Sequence, residues 1–197
     1  MSLIVLAGGN GTRLNRDKAF LELIENKTII ENIVSCLKGV FSEIIIVANN
    51  LEDYKFLGFM VVPDLVKGKG PLGGIYTGLK TSKEERNFVL ACDMPFVNVG
   101  LVRYMLKFKD FDAVVPRFDE YIEPLYSVYS KNCLPIIEKN IKNNDLKIQN
   151  FIGKIKKIKY IEKEEIEKFD KAKVCFFNIN DKKDLEEAKK ILNEKRA

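Results

Sequence analysis

Four apolar runs in the first half of the chain each break off at a glycine or a short polar side chain, and this repeated break most limits the fold. Residues 2–6 (SLIVL) stop at Ala7-Gly8-Gly9, and Glu43 to Asn50 (EIIIVANN) ends in paired asparagines. The run Phe59 to Val62 closes at Pro63-Asp64, and Phe88 to Cys92 closes at Asp93-Met94-Pro95. Short β-branched runs bounded by turn residues read as strands. Strands that are apolar nearly throughout, without strict alternation, belong in a parallel sheet covered on both faces.

Helical patterns lie between these runs. Thr28 and Glu31 have the spacing of a capping box, and Ile30, Ile33, Val34 and Leu37 then share one face, with Gly39 as the stop. Further helices are expected through about Leu79, over Val99 to Phe108, over Asn132 to Asn143, and after a capping Asp181. Residues 19–24 read as a strand or a turn of helix. Ala113 to Pro116, Leu125 to Tyr129 and Val174 to Ile179 read as the remaining strands. Strand–helix alternation without linker or repeat predicts one α/β layered domain over 1–197 with a mostly parallel sheet. Ligands in such sheets sit beyond the carboxyl ends of the strands. Gly8 to Arg13, Asn49, Asp64 and Asp93 all occupy that position.

Composition narrows the chemistry. The chain has no histidine, which removes Ser-His-Asp and Cys-His mechanisms and the usual zinc sets. Its four cysteines (Cys36, Cys92, Cys133, Cys175) form no CxxC pair, so a disulfide framework is not expected. What remains is carboxylates, Lys, Arg, backbone amides and a hard metal ion. The net charge is +5, but Lys and Glu interleave, as from Lys154 to Lys173, which reads as a solvated surface and not a nucleic-acid face. No run approaches a membrane span, and the N-terminus lacks the pattern of a signal peptide, so a cytoplasmic location is expected.

The loop Gly8-Gly9-Asn10-Gly11-Thr12-Arg13 lets backbone amides close on an anion, and Arg13 and Lys18 add positive charge. It is not a Walker A loop, since Gly-Lys-Ser/Thr is absent. Gly68 to Gly74 reads as a second glycine-rich loop that closes over a substrate. Its formal G-x-G-x-x-G match follows no strand directly and carries Pro71 at its centre, which argues against a dinucleotide fingerprint. Asp93 is placed either to hold Mg²⁺ together with substrate phosphates or to cap a turn. Asp64 either accepts from a nucleobase or ribose or caps a turn.

Taken together these residues resemble the molybdenum cofactor guanylyltransferase (MobA) family. The likeness rests on Leu6-Ala7-Gly8-Gly9, Arg13, Asp17-Lys18, Pro63-Asp64 and Gly70-Pro71-Leu72-Gly73-Gly74. It continues through Cys92-Asp93-Met94-Pro95-Phe96, Glu123-Pro124-Leu125-Tyr126 and Phe177-Asn178-Ile179-Asn180. The resemblance implies a three-layer, Rossmann-like nucleotidyltransferase fold. It implies transfer of GMP from GTP to molybdopterin, with Mg²⁺ and release of pyrophosphate. It places GTP contacts at Leu6, Ala7, Gly8, Lys18, Asp64 and Asp93, and Mg²⁺ at Asp93. Arg13, Lys18 and Asp93 become the catalytic set. Gly73 and Gly74 would lie close to base and ribose, Asn180 near the reacting phosphates, and Arg117 and Glu123 on the pterin side. It leaves room for contact with proteins that supply molybdopterin or are molybdoenzymes. Gly11-Thr12-Arg13-Leu14 also matches wider nucleotidyltransferases, so transfer from CTP or to another acceptor stays as the alternative, and a non-catalytic nucleotide-binding module stands as a third reading.

Overall fold

The computed structural model describes residues 1–8, 18–24 and 27–194. The first strand, β1 (Ser2–Leu6), lies near the middle of the sheet. Successive side chains of a strand point to opposite faces. Accordingly Leu3 and Val5 enter one core while Ile4 enters the other. From Leu3 to Val5 an apolar residue is therefore needed at every position, while the buried Ser2 is satisfied by hydrogen bonds to Glu43 and Ser82.

A 3-10 turn at Lys18–Phe20 leads into β2 (Glu22–Ile24), which pairs with β3 (Lys27–Thr28) as a small separate ladder. Helix α1 (Ile29–Leu37) starts at the expected capping box. The Glu31 carboxylate accepts from the Thr28 amide at 2.8 Å, and the Thr28 hydroxyl accepts from the Glu31 amide at 3.4 Å. Next come β4 (Glu43–Val47), β5 (Met60–Val62), α2 (Gly70–Thr81), β6 (Arg86–Ala91) and α3 (Val99–Met105). The second half holds β7 (Ala113–Phe118), β8 (Tyr121–Ile122), β9 (Tyr126–Ser130), α4 (Leu134–Lys142), α5 (Ile148–Ile152), β10 (Ile158–Ile161), α6 (Lys163–Ile166) and α7 (Lys182–Glu194).

The sheet order is β10-β7-β9-β6-β1-β4-β5, with β8 attached to β7. Strands β5, β4, β1 and β6 run parallel, β10 runs parallel to β7, and β9 runs antiparallel between β6 and β7. Helices α1 and α3 pack on one face, and α2, α4 and α5 on the other. This is the three-layer, mostly parallel α/β arrangement expected from the strand–helix alternation. Among the described residues no helix is long and apolar enough to cross a membrane.

Several local expectations change. Gly68 to Gly74 is not a loop throughout: α2 begins at Gly70, with Pro71 in its first turn, where a missing N–H costs nothing. Gly68 and Gly70 take φ of 71° and 57°, the left-handed conformation that bends the chain into the helix. Val174 to Ile179 is not a strand. Val174–Phe176 form a 3-10 turn, and the run is apolar because Cys175, Phe176 and Ile179 are buried. Conversely, Ile158–Ile161 is an edge strand inside the segment expected to be only charged surface. Its residues pair with Ala113 to Pro116.

Candidate active site

The carboxyl ends of β5, β4, β1 and β6 lie side by side and carry Asp64, Asn49, Gly8 and Asp93 in that order. The backbone leaving each strand is tied down before the polar residue appears. The Ala7 amide donates to Val47 O at 2.9 Å, and the Tyr54 hydroxyl donates to Ala7 O at 3.0 Å. The Cys92 amide donates to Leu6 O at 3.0 Å, and Asp93 O accepts from the Ile179 amide at 2.9 Å. The C-terminal segment therefore closes over the turn that carries Asp93.

These ends open into a cavity of about 420 Å³, within the range of small-molecule sites. One wall is Leu6, Ala7 and Gly8 with Asp64 from β5. The start of α2 contributes Gly70, Pro71 and Gly74. Lys18, Asp93 and Asn178 line it from the centre, and the segment Tyr121 to Leu125 forms the far wall. The register places that far wall: Leu90 pairs with Tyr126, and the Ala91 amide donates to Leu125 O. Beyond these strand ends, in the turns that follow β6 and precede β9, Asp93 and Glu123 both line the cavity.

Lys18 Nζ lies 3.8 Å from Asp93 Oδ2 and donates to Asn180 Oδ1 at 3.3 Å. Burial holds the Asp93 carboxyl above its ordinary range, and the Lys18 charge pulls in the opposite direction. Glu123 is only 3% exposed; its carboxylate accepts from the Tyr121 hydroxyl at 3.0 Å and from the Leu125 amide at 3.2 Å. Burial raises it as well, with a contribution from the nearby Asp93 charge. On the opposite side Asn49 and Asp64 hold each other. Asn49 Nδ2 donates to Asp64 Oδ2 at 3.1 Å, and Asn49 Oδ1 accepts from the Asp64 amide at 3.2 Å. Asp64 Oδ1 is buried and has no partner among the described residues, which leaves one acceptor free at the cavity wall.

The donor set suits a hard cation that shares its coordination with a ligand. Among the described residues no group of three or more metal-ligating side chains could hold a metal by itself. Mg²⁺ needs less from the protein, taking one or two carboxylates and completing its octahedron with phosphate oxygens and water. Asp93, with Glu123 beside it, fits that requirement.

The cavity thus gathers Leu6, Ala7, Gly8, Lys18, Asp64 and Asp93, residues separated by up to 87 positions. Arg13, with Gly9 and Gly11 of the same loop, lies outside the described residues. Arg117 does not itself line the cavity. Its guanidinium donates to both Glu162 oxygens and stacks over Tyr160 at 4.1 Å, in a neighbouring charged groove on the same β7–β8 side that shares Ile122 with the cavity. An arginine in a carboxylate fork has its charge already matched. Gly73 and Gly74 also serve packing. A Cβ on Gly74 would meet Leu6 Cδ2 at 3.1 Å, and one on Gly73 would meet Lys69 Cβ at 3.0 Å. Two lining residues had no sequence signal strong enough to select them. Gln149 comes from α5, and Tyr121 follows the turn at Asp119-Glu120.

Comparison with known proteins bears on the family and the fold. The family described as MobA-like NTP transferase domain matches residues 3–158. A probable molybdenum cofactor guanylyltransferase of Pelotomaculum thermopropionicum is 36% identical over 98% of this chain and 94% of its own. One from Clostridium perfringens is 40% identical over 91% of each. Among solved structures, molybdopterin-guanine dinucleotide biosynthesis protein A from Archaeoglobus fulgidus superposes with a TM-score of 0.84 at 28% identity, covering 98% of this chain and 100% of that one.

Proposed function

This chain belongs to the MobA-like NTP transferase family, and from that premise we propose that it transfers GMP from GTP to the phosphate of molybdopterin and releases pyrophosphate. The names of its relatives support the reaction. The observation that carries it for this chain is the placement of Lys18 and Asp93. They meet at 3.8 Å in the middle of a cavity with Leu6, Ala7, Gly8 and Asp64 on one side and the Tyr121 to Leu125 wall on the other. A reaction that joins a nucleotide to a second phosphorylated molecule needs two binding halves with charge-handling groups between them.

In this mechanism an oxygen of the acceptor phosphate attacks the α-phosphorus of GTP. The bond from that phosphorus to the bridging oxygen breaks, and pyrophosphate leaves with the electron pair. The acceptor oxygen is already ionised near neutral pH, so the absence of histidine is no obstacle. Lys18 steadies negative charge on the triphosphate, with Arg13 from outside the described residues. Gly8 lets the backbone approach closely, and Asp64, fixed by Asn49, offers its free oxygen to base or ribose. Such fixed charges and dipoles act mainly where charge develops in the transition state. Bound at Asp93, Mg²⁺ would neutralise phosphate charge as a Lewis acid. The chain would act as one nucleotidyltransferase domain in the cytoplasm, in contact with proteins that supply the pterin or receive the product.

The test is pyrophosphate release by purified protein with molybdopterin, Mg²⁺ and each nucleoside triphosphate in turn. GTP should be used well and CTP poorly. Asp93→Asn should lower turnover by about 100-fold or more at unchanged thermal stability. Equal use of CTP would reject the guanylyl assignment, and near-normal turnover by Asp93→Asn would reject the role of that carboxylate.

A further inference from the structure

Thr77 is a polar side chain, fully buried in α2, and it does not line the cavity. Its hydroxyl makes two hydrogen bonds. It donates to Gly73 O at 2.9 Å, one turn back in the same helix, a local bond common for threonine in helices. It also accepts from the Leu65 amide at 3.0 Å. That second bond leaves the helix and reaches the loop after β5, which carries Asp64.

The Leu65 amide belongs to the peptide unit that follows Asp64. The unit that precedes Asp64 is held from the other side, where the Asp64 amide donates to Asn49 Oδ1 at 3.2 Å. Peptide units are planar, so only the φ and ψ of Asp64 join the two. With Asn49 on one plane and Thr77 on the other, the backbone of Asp64 has no free rotation left. The buried Oδ1 of Asp64 is thereby held in place at the cavity wall. Nothing apolar substitutes for this tie at Leu65, whose side chain is 60% exposed. The helix is also shaped to admit the loop: a Cβ on Gly73 would stand 3.2 Å from Val66 O. Gly73 thus lets the loop backbone approach α2, and Thr77, one turn on, ties it there.

We propose that Thr77 is a positioning residue for the nucleotide half of the site: its hydroxyl, through the Leu65 amide, fixes the backbone of Asp64 and so sets where the free carboxylate oxygen meets base or ribose. The proposal rests on the transfer reaction above, with Asp64 as a nucleotide contact, and adds a residue outside the cavity that governs that contact. Thr77 touches no substrate. Valine in its place keeps the shape and loses both hydrogen bonds. The Leu65 amide then turns to water, and Asp64 turns with it.

The experiment measures the GTP dissociation constant, steady-state GMP transfer and thermal unfolding for wild type, Thr77→Val, Thr77→Ser, Asp64→Ala and the double variant Asp64→Ala/Thr77→Val. Thr77→Val should weaken GTP binding about tenfold, the loss of one hydrogen bond to a charged acceptor. Its kcat at saturating GTP should stay within about threefold of wild type, because a contact made equally before and during reaction acts on KM. Thr77→Ser keeps the hydroxyl but loses a buried methyl group, so it should melt at a lower temperature while its GTP dissociation constant stays within about twofold of wild type. In the Asp64→Ala background Thr77→Val should add less than about twofold, since coupled residues are not additive. An unchanged GTP dissociation constant in Thr77→Val overturns the proposal. Equal weakening in Val and Ser overturns the role of the hydroxyl, and a full tenfold effect added to Asp64→Ala overturns action through Asp64. A wild type that binds another nucleoside triphosphate in place of GTP overturns the guanylyl reading, and the same variants titrated with that nucleotide then judge Thr77 by itself.

Discussion

Gly78 offers a sharp test of how the cavity is built. It lies in α2, one turn after Gly74, and a Cβ placed on it would stand 2.4 Å from Ile4 Cγ2, 2.8 Å from Cδ1 and 3.0 Å from Cγ1. Ile4 is fully buried in the middle of β1, so it cannot swing away. In an unconstrained helix, Gly→Ala should gain about 1 kcal/mol from backbone entropy. Forcing a methyl group into a packed core costs about 1–3 kcal/mol, and the separation here is so short that the upper part of that range applies. Gly78→Ala should therefore be destabilising by about 1–2 kcal/mol net, against the ordinary sign. Urea unfolding followed by circular dichroism measures this as a lower midpoint at unchanged slope. Gly153→Ala is the control. Its φ of −61° suits alanine, and its nearest neighbour would be Gln149 O at 3.4 Å, so it should be neutral or slightly stabilising. Helix α2 must also move outward to admit the methyl group, and it carries Gly70, Pro71 and Gly74 of the cavity wall. GTP affinity should fall in Gly78→Ala and hold in Gly153→Ala. A Gly78→Ala protein as stable as wild type or more so would refute the close packing of α2 on β1.

Two further outcomes follow from the central charges. Lys18→Ala removes the one described cation beside Asp93 and should weaken GTP binding about 10- to 100-fold, the worth of a charge-assisted hydrogen bond; an unchanged GTP dissociation constant counts against its role. The second concerns pH. Burial holds the Glu123 carboxyl above its ordinary range in the folded protein. The folded state then keeps a proton that the unfolded chain has lost. Its contribution to stability falls as pH rises from the ordinary carboxylate range, about 4, towards the folded value. Glu123→Gln cannot titrate, so urea midpoints of wild type should decline relative to those of the variant across that window. A constant difference between the two proteins would show that Glu123 is not perturbed.

The Thr28–Glu31 capping box, the Asp181 cap of α7 and the runs that form β1, β4, β5 and β6 were all legible from short windows of sequence, although β4 stops at Val47, before Asn49-Asn50, and β6 at Ala91. Each depends on contacts within a few residues or on burial on both faces, and both leave a local pattern. The cap at Asp181 is an example: its carboxylate accepts from the Lys183 amide at 2.8 Å and the Asp184 amide at 3.1 Å. The same holds for the site residues that follow those strands, because a parallel sheet delivers every such terminus to one rim. Val174 to Ile179 misled because apolarity reports burial and says nothing about which partner supplies hydrogen bonds. Ile158 to Ile161 misled in the other direction. An edge strand needs only one partner, so Lys159 can sit in it and donate to Glu165 at 3.0 Å.

The sequence by itself picked out Leu6 to Gly8, Lys18, Asp64 and Asp93 as residues of one cavity, because most of them directly follow apolar runs that a parallel sheet delivers to one rim. Only the tertiary structure decided what stands across from them. The antiparallel pairing of β9 with β6 brings Glu123 into the cavity that Asp93 lines, the β7–β8 hairpin adds Tyr121, and Glu162 holds Arg117 in a neighbouring groove. Those neighbours come from strand order and register, which depend on pairings between distant segments and leave no trace in a local run of residues.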